Sequence, residues 1–138
     1  MITKEYLGGF FDGEGYISLI RHKDTRVKKG YTLHPFMRIT NTNKEILEEI
    51  NKLAKGKIKS KPKQLGCKQC YMVEIQDLKS MFEFLCKIHP FLVIKKKQAE
   101  LMIEFCRGRI DNKNKRYSEE DYKLSFKFTE LNKRGERR

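Results

Sequence analysis

No stretch of this 138-residue chain approaches the ~18 consecutive apolar residues of a membrane-spanning helix. The N-terminus, Ile2-Thr3-Lys4-Glu5, lacks the pattern of a secretory signal. The expectation is therefore a soluble, intracellular protein, in cytoplasm, nucleoid or organelle, with no membrane partner. Hydrophobic residues are few at 38%, against 36% charged. That supports one domain with a lean core, to which a shared interface would add buried area. Acids are scarce too: 18 Asp and Glu stand against 31 Lys and Arg, for a net charge of +13. Such an excess points to a polyanionic partner. Only Cys67 and Cys70, among four cysteines, form a Cys-x-x-Cys, and no second close pair completes a zinc site. No thioredoxin-like βαβ pattern follows it. The simpler reading is a hairpin turn, with a local disulfide as an option. Cys86 and Cys106 fall in apolar patterns and read as small buried hydrophobes.

Against this plain background one stretch stands out, residues 6–17. It starts as a helix, with Thr3 as N-cap and Glu5 in the first turn, where an acid suits the dipole. Yet it carries Gly8, Gly9 and Gly13, each costing about 1 kcal/mol against Ala. Gly9 and Gly13 are four apart and share a face, so another backbone can approach closely there. Asp12 and Glu14 sit at the C-terminal end, where unpaired carbonyls already concentrate negative charge. Acids in that position call for a cation. A close helix pair ending in carboxylates is a reasonable divalent-metal site.

The rest alternates between strands and helices. Residues 16–22 read as a strand with Ile17 and Leu19 on one face and Ser18, Ile20 and His22 on the other. A second strand over 31–40 puts Leu33, Met37 and Ile39 inward and Thr32, His34, Phe36, Arg38 and Thr40 outward. Pro35 within it signals an edge or bulge. Thr42 and Glu45 have capping-box spacing for a helix with Ile46, Leu47, Ile50, Leu53 and Ala54 on its apolar face, closed by Gly56. Residues 57–62 form a short basic strand, and 69–76 another, with Tyr71, Val73 and Ile75 opposite Cys70, Met72 and Glu74. Asp77 caps a helix stopped by Pro90. A further helix spans 93–107 and ends at Gly108, and a polar linker leads to a last helix capped by Ser118 with Asp121. The tail after Lys133 is read as frayed and basic. The order is α-β-β-α-β-β-α-α, an α+β fold with helices on one face of hairpin strands.

Leu7-Gly8-Gly9-Phe10-Phe11-Asp12-Gly13-Glu14-Gly15 resembles the nine-residue signature of the LAGLIDADG homing endonucleases. Pro90-Phe91-Leu92-Val93-Ile94-Lys95-Lys96-Lys97-Gln98-Ala99 is similar to the segment leading into that family's third core helix. The resemblance implies an αββαββα core over residues 1–110, with antiparallel strands forming a DNA-binding saddle. Residues 111–138 would add a linker, a C-terminal helix and a basic tail. There is one copy of the signature, which in this family implies a homodimer joined through the motif helix. Gly9, Asp12, Gly13 and Gly15 would be structural members of the motif. Glu14 matches the final acid, more often Asp, and would be the catalytic metal ligand for Mg²⁺ or another divalent cation such as Mn²⁺. Asp12 matches the middle acid, with structural capping as its leading role. Lys95 would stabilise developing charge or lower the pKa of a water. Asn41, where the family often has Gln, would position water; a helix cap is its alternative.

An antiparallel ribbon fits the major groove. Base reading would fall to the outer strand positions Ser18, Ile20, His22, Thr32, His34, Arg38, Lys59, Lys61, Met72 and Glu74. The implied activity is cleavage of double-stranded DNA at a long pseudo-palindromic site, leaving 3′ overhangs. The alternatives are an intron-RNA-binding maturase, a non-cleaving DNA binder on the same scaffold, or a generic basic nucleic-acid protein.

Overall fold

The computed structural model describes residues 2–112 and 116–133. Part of the expected linker, residues 113–115, and the end of the basic tail, 134–138, lie outside the described residues. The elements are α1 (Lys4–Glu14), β1 (Gly15–Lys23), β2 (Tyr31–Asn41), α2 (Lys44–Ala54), β3 (Lys57–Ser60), β4 (Tyr71–Ile75), α3 (Leu78–Ile88), α4 (Lys96–Asn112) and α5 (Glu119–Asn132). The order follows the expectation, with a 3-10 turn, His89–Phe91, added where Pro90 stops α3.

The strands form one antiparallel sheet in the order β1-β2-β4-β3. Period-two patterning decides which face is covered. Ile17, Leu19, Leu33, Met37, Ile39, Val73 and Ile75 are buried. The helices bring Leu7, Phe11, Leu47, Ile50, Met81, Phe84, Leu85, Met102 and Phe105 into the same core. Each such side chain contributes about 1.5–3 kcal/mol relative to exposure. Phe11 meets Phe84 edge to face, with centroids 5.9 Å apart. Pro35 sits opposite Leu19 of β1, while β4 pairs only with Met37 to Asn41 of β2. On that side β2 is locally an edge, where a missing N–H is tolerated.

Helix α5 is tied to the sheet by polar contacts. The Tyr122 hydroxyl donates to the Tyr31 carbonyl at 2.9 Å, Tyr117 to Leu33 at 3.0 Å, and the Asn132 amide to Ile17 at 2.8 Å. Arg21 lies across the Phe126 ring at 4.3 Å and donates to Thr129 at 3.1 Å.

Four sequence readings are corrected. The N-cap of α2 is Asn43, not Thr42: its Oδ1 accepts from the Ile46 N–H at 3.1 Å. Asn41 sets this up by accepting from the Asn43 N–H at 2.8 Å, which starts the helix one residue later. Helix α4 begins at Lys96 rather than 93 and continues past Gly108 to Asn112. Gly108 costs about 1 kcal/mol of propensity there, and just beyond it Arg109 lies over the Tyr117 ring at 4.5 Å. Cys86 is exposed, since it falls off the Met81, Phe84, Leu85, Ile88 stripe of α3. Cys106 is buried as expected, and burial pushes its thiol up to about 12. Cys67 and Cys70 are free thiols in the β3–β4 connection, so the local disulfide is not formed. The turn there closes with the Cys67 N–H donating to Gln64 at 3.0 Å.

Candidate active site and nucleic-acid interface

Thr3 caps α1, accepting from the Tyr6 N–H at 3.1 Å. The helix turns Leu7, Gly8, Phe11 and Asp12 inward. Gly8 is needed by packing: a Cβ there would stand 2.6 Å from Phe91 Cβ. Gly15 follows the helix for the same reason, since its Cβ would stand 2.5 Å from the Phe11 ring. Gly9 and Gly13 are different, because nothing among the described residues comes within 4 Å of a Cβ at either. They continue a stripe with Tyr6 and Phe10, whose rings lie 6.0 Å apart. This face of α1 is open in the single chain.

At the end of α1 the two acids part ways. Glu14 is exposed. Asp12 is only 8% exposed and fully engaged. Its Oδ2 accepts from the Val93 and Ile94 N–H groups at 3.1 and 2.9 Å, and its Oδ1 from Lys95 at 2.8 Å. The Lys95 ammonium returns the contact, donating to the Asp12 carbonyl at 2.6 Å. Helix ends explain the exchange. Three N–H groups leading into α4 have no intrahelical acceptor, and a carbonyl near the end of α1 has no donor. An anion at one terminus and a cation at the other also suit both dipoles. Burial works to raise the Asp12 pKa, but the bonds from Ile94, Lys95 and Val93 and the Lys95 charge outweigh it and hold the carboxyl below its usual value. The start of α4 is therefore delayed to Lys96, because 93–95 are committed to Asp12.

Asn41 is the last residue of β2 and lies at this end of the sheet, since Gly15 pairs with Ile39. Its side-chain oxygen serves the Asn43 N–H, which leaves its NH₂ group for another partner. Glu14 ends α1, the Lys95 ammonium is bonded to the Asp12 carbonyl in the last turn of that helix, and Asn41 ends β2, the strand that pairs with β1. Among the described residues no three His, Cys, Asp or Glu side chains cluster as a metal site.

The uncovered face of the sheet carries the predicted reading positions in register. Tyr16 faces Arg38, Ser18 faces Phe36, Ile20 faces His34 and His22 faces Thr32 across β1–β2. Arg38 faces Glu74, and Thr40 faces Met72, across β2–β4. Lys57 and Lys59 sit opposite Glu74 and Met72 on β3. Lys59 pairs with the Glu74 carboxylate at 2.6 Å, so that acid is already partnered. Lys61 lies just beyond β3, where its N–H still pairs with the Cys70 carbonyl at 2.9 Å. The His22 and His34 rings are 4.2 Å apart, and Thr32 Oγ1 lies 3.0 Å from His34 Nε2. Burial, then the neighbouring His22, pushes the His34 imidazole below its usual pKa.

Two features escaped the sequence reading. Tyr16 belongs to the uncovered face, with Arg38 5.0 Å over its ring; extending the alternation back one step from Ile17 would have found it. The dependence of 93–95 on Asp12 spans more than 80 positions and leaves no local signal.

The LAGLIDADG endonuclease family profile matches residues 7–107. No curated protein sequence matches the chain significantly. Among solved structures, the archaeal intron-encoded homing endonuclease I-Vdi141I, complexed with DNA, is similar with a TM-score of 0.79 and 26% identity, over 97% of this chain and 86% of that one. The homing endonuclease I-CvuI in complex with its target (TM-score 0.73, 20% identity, 98% and 85% covered) and the homing endonuclease I-TnaI (0.72, 19%, 96% and 89%) share the fold. An α+β sheet open on one face, a glycine-striped helix ending in two acids and the matching profile define a homing-endonuclease scaffold. The chain belongs to the LAGLIDADG endonuclease family.

Proposed function

We propose that the chain works as a homodimer that cuts double-stranded DNA at a long pseudo-palindromic site, leaving 3′ overhangs, with Mg²⁺ or a similar divalent cation. The observation that carries this reading is the end of α1. An exposed Glu14 carboxylate lies two residues beyond Asp12, whose carbonyl holds the Lys95 ammonium, and the glycine stripe of the same helix is uncovered. Two such helices packed through Gly9 and Gly13 would bring two Glu14 groups together across a two-fold axis.

The donor set fits a hard cation. Glu14 offers carboxylate oxygen at a helix end rich in carbonyls, while both Asp12 oxygens are taken. One chain supplies a single available carboxylate at this position, so the metal site needs both subunits. A bound divalent ion would supply water activation and charge neutralisation at the phosphate. The chain's own groups do the rest. Lys95, held by one of its three N–H donors, has two left for phosphate oxygens. The Asn41 NH₂ group can orient a water at the same sheet end. The uncovered sheet face presents Arg38, His34, Thr32 and Ser18 for base edges and Lys59 and Lys61 for phosphates.

The test is cleavage of a randomised-site plasmid library in Mg²⁺, with Glu14→Gln beside wild type. Wild type should cut a discrete site, and Glu14→Gln should bind that site without cutting. DNA binding with no cleavage by wild type, or preference for a structured intron RNA, would sink the endonuclease reading and leave the maturase alternative.

A further inference from the structure

Asp12 does more than finish a helix. Its side chain takes three consecutive N–H groups at 93–95, and its main-chain oxygen takes the Lys95 ammonium. One residue of α1 thus fixes both the backbone and the charged end of one residue before α4. The Ala99 N–H donates to the Lys95 carbonyl at 2.9 Å, so the same residue also opens the hydrogen-bond ladder of α4. Lys95 has little freedom left. Its ammonium is held two residues before Glu14, on the last turn of the helix that carries the glycine stripe.

We propose that Asp12 is a positioning residue for the cleavage step, acting through Lys95: it sets the Lys95 ammonium beside the Glu14 end of α1 and keeps it there. This rests on the endonuclease reading and deepens it. The physical ground is that placement errors of about 1 Å at a reacting centre cost up to about 100-fold in rate. A long lysine side chain has no such placement unless its backbone is fixed and its head is held. Neighbouring Lys96 and Lys97 are exposed, and among the described residues the ammonium bonded to α1 is that of Lys95. Lysine count alone therefore does not replace Lys95.

The experiment is a double-mutant cycle on the cleavage step. Single-turnover cleavage of the selected site is measured for wild type, Asp12→Asn, Lys95→Met and the double variant, with DNA affinity measured separately in EDTA. Asp12→Asn keeps the size but sets an NH₂ group against N–H donors. It should slow cleavage by about 10-fold to 100-fold and leave affinity unchanged. In the Lys95→Met background it should have no further effect. If the two losses instead multiply, Asp12 acts independently of Lys95 and the proposal falls. Asp12→Ser, a small acceptor, replaces Asp12→Asn should the latter fail to fold. A loss of affinity and melting temperature in step with rate, in both variants, would reduce Asp12 to a structural role and overturn the proposal. Amide exchange separates this failure from that of the parent reading. Unchanged protection at 93–95 in Asp12→Asn overturns the proposal even if wild type cuts normally. A wild type that cuts no DNA sinks the endonuclease reading, and this catalytic consequence with it.

Discussion

At the scale of single residues, the motif divides into groups that pack and groups that remain available. Gly15 and Phe11 show the first kind. A methyl at Gly15 would press on the Phe11 ring at 2.5 Å and on the Phe11 carbonyl at 2.6 Å. The ring is fully buried against Phe84, and the carbonyl is backbone, so neither yields easily. Gly15→Ala should cost about 1–3 kcal/mol as an overpacking change, read from urea denaturation midpoints. Asp12 gives a pH signature. Its folded pKa lies below the unfolded one, so its stabilisation is present above the unfolded value and is lost as pH falls through the folded one. Acid unfolding of wild type below about pH 4 should therefore be steeper than that of Asp12→Asn, whose stability at neutral pH should be lower. Equal acid slopes would sink the assignment. From sequence, Asp12 was readable as a structural acid and Glu14 as an available one, because the signature orders them. The partners of Asp12 were not readable: they come from a segment that only the tertiary fold brings to α1.

At the scale of elements, local rules predicted existence and type well and boundaries less well. The caps Thr3, Asp77 and Ser118 act as their side-chain chemistry suggests, and Ser118 with Asp121 forms a complete capping box. Helix α2 is the instructive exception. Thr42 and Glu45 have the spacing of a box, but Asn41 and Asn43 compete for the same turn and win. Asn side chains reach backbone N–H groups two or three residues on, and two in alternation fix the entry register. Asn43→Ala should cost about 1 kcal/mol and Thr42→Ala close to nothing, measured by thermal or chemical denaturation. The reverse ranking would restore the box. The strand faces were legible for a different reason. Alternation of Ile17, Leu19, Leu33, Met37 and Ile39 leaves one register with a buried face, and a one-residue slip would expose all of it. The late start of α4 was not legible, because nothing in Val93, Ile94 or Lys95 marks them as occupied elsewhere.

At the scale of the whole molecule, charge and symmetry make separate demands. The net charge of +13 predicts DNA affinity that falls linearly in log–log form with salt. Individual lysines should not contribute equally. Lys59 is paired with Glu74 at 2.6 Å, whereas Lys61 forms no ion pair among the described residues. Lys61→Ala should lower the salt slope by about 0.9, and Lys59→Ala by less, in titrations with the selected duplex. Symmetry is tested at Gly13. Nothing among the described residues lies within 4 Å of a Cβ there, so the side chain of Gly13→Leu starts into open space within the subunit and the helix gains about 1 kcal/mol of propensity. Between subunits, the same side chain would fill the space that lets two α1 helices approach. Wild type should sediment as a dimer. Gly13→Leu should sediment as a folded monomer with native circular dichroism, and should lose cleavage because each chain brings one Glu14. A dimeric Gly13→Leu protein would place the interface elsewhere and remove the reason for two carboxylates to share a metal. Stability that falls with dilution in wild type but not in the variant would tie the lean core to the partner's contribution.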